Sequence, residues 1–77
     1  MKKNGTNQRF VVCINNEDYP ASLEIYKIYP VLEDADAKAH GDLRVVDESG
    51  EDYLYPASCF VAIEVPHAVE KLLSHAS

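Results

Sequence analysis

The chain has 77 residues, 47% apolar and 26% charged, with 13 acidic against 7 basic side chains and a formal net charge of −6. A chain this short makes one domain that buries only roughly 60% of its unfolded surface, leaving little volume for a deep catalytic cleft. Its negative field repels phosphate backbones and anionic lipid surfaces, which argues against nucleic acid and membranes as partners.

The opening "MKKNGTNQ" (1–8) has lysines but no apolar stretch behind them, so it reads as a flexible terminus rather than a secretory signal. No uninterrupted apolar run approaches the roughly 20 residues needed to span a bilayer. Cytoplasm is the expected compartment. "RFVVCIN" (9–15) is β-branched or aromatic on both faces and predicts a strand with little exposure. "NEDYPAS" (16–22) concentrates turn formers and predicts a loop, with Pro20 forbidding a regular ladder.

"LEIYKIYPVLED" (23–34) reads as extended, with Ile28, Pro30 and Leu32 on one face and Tyr29 and Val31 on the other. Pro30 has no N–H to donate and so marks an edge or a bulge. "DADAKAHG" (34–41) predicts a loop with at most one helical turn, capped by Asp34 and closed by Gly41. "DLRVVDESGEDYLYP" (42–56) is the clearest local signal: two strand-like runs around a polar tip whose Gly50 permits positive φ, hence a hairpin.

After Pro56 and a short corner, "CFVAIEV" (59–65) alternates, with Cys59, Val61, Ile63 and Val65 on one side and Phe60, Ala62 and Glu64 on the other. Pro66 then opens "PHAVEKLLSHAS" (66–77). Proline suits a first helical turn, and Val69, Leu72 and Leu73 follow Val65 at helical spacing. The expectation is a short C-terminal helix docked on the strands through those three residues, fraying after Leu73. The chain predicts an all-β fold of five short strands over 9–65, with a helical tail at 66–77.

This succession resembles a Src-homology 3 (SH3) domain, and with it small bacterial SH3-like proteins of no assigned activity. "YPASCFV" is similar to the family's "P-S-N-Y-V" corner, and "LEIYKIYPVLED" to its diverging turn and following strand. The resemblance implies a small five-stranded SH3-like barrel. It also implies a groove of aromatic rings for proline-rich peptides, which arrive pre-ordered as polyproline II and offer apolar ridges. Here that groove is depleted. Cys13 and Asn15 stand near its tyrosine positions, no tryptophan occurs, and only Pro56 and the hydroxyl-free Phe60 match. The shape is expected without most of the proline grip.

Five tyrosines are many for this length. Tyr19, Tyr53 and Tyr55, with Pro56 and Phe60, are read as an aromatic contact surface, since such rings give large contact area at low entropic cost. The alternative is that they fill the small core with hydroxyls reaching water. Glu17 and Asp18 sit where acids in the SH3 long loop help select basic ligand residues. The further loop carboxylates Glu33, Asp34, Asp36, Asp47, Glu48, Glu51 and Asp52 lack the spacing of a calcium loop and are read as solvated charge, with a preference for cationic partners second.

His67 and His75 are two helical turns apart, too far to share one metal. Cys13 and Cys59 lie inside apolar runs and are expected reduced and buried; neither they nor Ser58 has a motif-level base. No catalytic residue, metal or cofactor is assigned. The expected function is a non-catalytic interaction module for a protein or peptide, as a monomer or weak homodimer. A structural role through self-assembly, by a barrel edge softened at Pro30 or by the helix, stays open beside it.

Overall fold

A computed structural model describes residues 9–75, with side chains described through residue 73; the expected flexible segment 1–8 lies outside them. The elements are β1 (Arg9–Cys13), β2 (Ile28–Leu32), α1 (Ala35–Ala39), β3 (Asp42–Val46), β4 (Asp52–Pro56), a 3₁₀ turn (Ala57–Cys59), β5 (Phe60–Ile63) and α2 (His67–His75). The strands form one antiparallel sheet in the order β4-β3-β2-β1-β5. The fold is therefore mostly strand, as expected, but the sheet is open, with β4 and β5 as its two edges.

Register sorts the side chains. Val11 pairs with Tyr29 and Ala62, Cys13 with Phe60, Val31 with Val45, and Leu43 with Tyr55, so these residues share one face. That face carries the core: Val11, Cys13, Tyr29, Val45, Tyr55 and Phe60 are buried there. Leu23 from the long 14–27 loop and Cys59 from the 3₁₀ turn join them, and Tyr19 packs alongside. The loop thus roofs the sheet. Its backbone is held by Ile14 N–H donating to the Cys59 carbonyl at 2.8 Å and Glu48 N–H to the Ser22 carbonyl at 3.1 Å. Phe10, on the opposite face of β1, is also buried, so this strand is covered on both sides as its composition predicts.

The segment read as extended from 23 begins its strand only at Ile28. Residues 23–27 turn instead, with Tyr26 at φ 68°. Pro30 does not mark an edge strand, since β2 lies between β3 and β1. It pairs with Phe10 on β1, while the β2–β3 register spans only Val31 and Leu32 and so starts beyond the missing N–H. At α1 the expected turn is a five-residue helix. The Asp34 side chain caps it by accepting from Ala37 N–H at 3.0 Å, and Gly41 leaves it at φ 80°. Arg44 ties this cap to the hairpin through Asp34 at 2.7 Å and Asp52 at 3.0 Å.

α2 forms where the helical tail was expected. It starts at His67 with Val69 and Glu70 N–H groups donating to the Pro66 carbonyl, and it continues through His75. Of the three residues expected to dock it, Leu73 is half-buried. Leu72 is 70% exposed and Val69 is exposed. Helical spacing reports an apolar stripe but not what covers it. No described helix is long and apolar enough to cross a membrane.

Candidate functional site

The β3–β4 hairpin tip is organised by the buried carboxylate of Asp47 and the paired carboxylate of the exposed Glu48. Asp47 Oδ1 accepts from the Ser49 N–H at 2.9 Å and from the Ser49 hydroxyl at 2.6 Å, which folds the tip into an Asx turn. Gly50 follows at φ 84°, a conformation that costs a side-chain-bearing residue strain. Asp47 Oδ2 accepts from the Tyr55 hydroxyl at 2.5 Å. Next to it, Glu48 Oε2 accepts from the Tyr29 hydroxyl at 2.5 Å and pairs with Lys27 Nζ at 2.7 Å. The Tyr29 oxygen in turn accepts from Glu24 N–H at 2.7 Å. Two core tyrosines therefore clasp one hairpin tip.

This corrects the reading of Asp47 as solvated charge, since it is only 6% exposed; Glu48 is exposed, as read. The clasp equally corrects the picture of core tyrosines with hydroxyls in water, since Tyr29 and Tyr55 both donate to carboxylates. Burial raises the proton affinity of Asp47, but the donors on Ser49 and Tyr55 outweigh it and hold the carboxyl below its ordinary value. The Lys27 ammonium and the Tyr29 hydroxyl do the same for Glu48. The tyrosines move the other way. Burial, then the bond to Asp47, pushes Tyr55 up to about 12, and burial, then the bond to Glu48, pushes Tyr29 higher still.

The rings fall into two groups. Tyr55, 4% exposed, and Phe60, 7% exposed, belong to the core, their centroids 6.1 Å apart and their planes 76° apart. Tyr19 stands edge-on to Tyr55 at 4.9 Å and is half-buried. Tyr53 shares the Tyr55 side of β4, as alternation predicts, but lies at the end of the strand beyond the roof and is 50% exposed. Its hydroxyl donates to Glu51 Oε1 at 3.0 Å, which raises the phenol above its ordinary value. Pro56 is partly exposed where β4 meets the 3₁₀ turn. Glu17 and Asp18 are exposed on the long loop, and Glu17 N–H donates to Asn15 Oδ1 at 2.9 Å.

Between that loop and the hairpin tip lies an open concavity of about 370 Å³, lined by Tyr19, Tyr53, Tyr55, Ser22, Asp47 and Ser49. Three of the seven residues expected to form a contact surface line it: Tyr19 and Tyr53 with accessible ring surface, and Tyr55 with its ring largely in the core. Pro56, Phe60, Glu17 and Asp18 do not. Ser22, Asp47 and Ser49 escaped the sequence reading as site residues. The "DES" of the tip is a recognisable Asx-turn signal, but nothing local says that its carboxylate faces a tyrosine eight residues on.

Cys13 and Cys59 are both buried and free. Burial pushes the Cys59 thiol up, so it carries less thiolate than an exposed cysteine. No protein-family model matches this chain, and no curated protein or solved structure is significantly similar to it.

Proposed function

We propose that this chain is a non-catalytic interaction module of SH3-like type, using the surface between its long loop and its β3–β4 hairpin to hold a segment of another protein. The observation that carries this reading is the open concavity walled by Tyr19 and the half-exposed Tyr53. Such rings, set on a sheet and a roofed loop, supply contact area with little entropy left to lose. The strand order β4-β3-β2-β1-β5, a long loop after β1 and a 3₁₀ corner before β5 support the SH3-like assignment. A non-catalytic role is supported by carboxylates engaged with donors and by buried thiols. With Phe60 in the core and Tyr29 and Tyr55 turned inward, proline-rich peptides have little of the usual groove to grip.

The test is retention of a partner from native lysate on the immobilised chain, repeated with Tyr53→Ala and with the pair Glu17→Lys and Asp18→Lys. Loss of the same partner with unchanged melting temperature supports the reading. Identical retention by all variants removes this surface as the site.

A second reading, self-assembly, rests on one observation: Leu72 and Val69 of α2 are exposed, Leu72 at 70%. Light scattering across concentration tests it. A dimer that Leu72→Asp dissociates supports assembly through α2, and a monomer at all concentrations ends that reading.

A further inference from the structure

Asp47 combines three properties that rarely meet. It is almost fully removed from solvent, it lines an open concavity, and it has no Lys or Arg partner among the described residues. Lys27 and Arg44 are committed elsewhere, to Glu48 and to Asp34 and Asp52. Only neutral donors reach Asp47: the Tyr55 hydroxyl and the Ser49 N–H and hydroxyl. Those donors keep it ionised, so a net negative charge sits at the floor of the concavity.

The walls favour the same sign of ligand. Tyr53 and Tyr55 place their hydroxyl hydrogens on Glu51 and Asp47, so each ring is backed by a carboxylate and presents an electron-rich face. Resting on the interaction-module reading, we propose that the concavity receives an arginine side chain from a basic segment of a partner protein. The guanidinium lies against the Tyr19 and Tyr53 rings with its charge toward Asp47. Arginine fits better than lysine because its planar cation is weakly hydrated, stacks on rings, and offers five donors to the free lone pairs of Asp47, Ser22 and Ser49. The net charge of −6 draws a basic segment to the surface and raises its association rate.

The experiment titrates the isotope-labelled full chain with acetyl-Gly-Arg-Arg-Gly-amide while amide chemical shifts are followed. The controls are the same peptide with citrulline, which keeps the shape and loses the charge, and with lysine. Saturating shifts centred on Tyr19, Ser49 and Tyr53 are expected, with the citrulline peptide at least about ten-fold weaker and the lysine peptide between them. Tyr53→Ala, whose ring is half-exposed and outside the core cluster, is expected to weaken the arginine peptide to a similar degree. Asp47→Asn is a second variant, read only if its spectrum stays dispersed.

Equal binding of the arginine and citrulline peptides overturns the cation inference while leaving the surface as a binding site. Saturable arginine binding that Tyr53→Ala does not change, with shifts elsewhere, overturns the site itself and with it the interaction surface. Shifts scattered over the acidic surface without saturation, or none at all, overturn the arginine inference.

Discussion

The hydroxyl of Tyr55 donates to Asp47 across the hairpin, eight residues apart in sequence, at 2.5 Å. The bond links a core ring to the carboxylate that shapes the hairpin tip, so it belongs to the fold and to the candidate site together. Tyr55→Phe keeps the ring and removes the donor, leaving a buried carboxylate short of one partner. Chemical denaturation is expected to register a loss of about 1.5–3 kcal/mol. A neutral result would mean that water replaces the hydroxyl without penalty.

The two donor-paired acids set the acid limb of stability. Asp47 and Glu48 have folded pKa values below their unfolded ones. Their contribution is present above the unfolded value of about 4 and disappears as pH falls through the folded values. Melting temperatures measured from about pH 6 down to about pH 2 are expected to fall steeply at the acid end, and less so in Glu48→Gln. Tyr55 and Tyr29 act at the other limb. Their folded values are raised, so their contribution holds below about pH 10 and is lost as pH climbs through the folded values.

Backbone conformation yields two substitutions of opposite sign. Gly50 has φ 84° and open space around the position a Cβ would occupy, so Gly50→Ala meets only strain and is expected to cost about 1 kcal/mol. Tyr26 holds φ 68° with a side chain 78% exposed, so Tyr26→Asn is expected to gain roughly 0.5 kcal/mol, asparagine tolerating that region better. Paired thermal melts check both signs.

Leu72 contributes little to the fold of one chain. Leu72→Asp is expected to change monomer stability by no more than about 0.5 kcal/mol, as for other surface positions. A loss several times larger, measured at a concentration where scattering reports a monomer, would place the helix against the sheet.

Much of the architecture was legible without coordinates because it rests on local chemistry. Alternation placed Tyr53 and Tyr55 on one side of β4, glycine at position 50 located the hairpin, and Asp34 with Gly41 bracketed α1. These are effects between neighbours in the chain, where side-chain period and φ preference act directly. The same rules miscarried at Pro30, where a missing N–H is tolerated in an interior strand because pairing to β3 begins one residue later.

Tertiary structure alone decided which aromatic rings are core and which are surface. Tyr53 and Tyr55 have the same residue type, strand and facing, yet only the roof formed by Leu23 and Tyr19 separates a buried ring from a half-exposed one. It also decided that Asp47 is buried and that Glu48 is paired, since a carboxylate goes where donors meet it, and here the tyrosine donors come from β4 and β2. The sequence could count tyrosines and acids. Their pairing depends on contacts between distant residues, which no local pattern encodes.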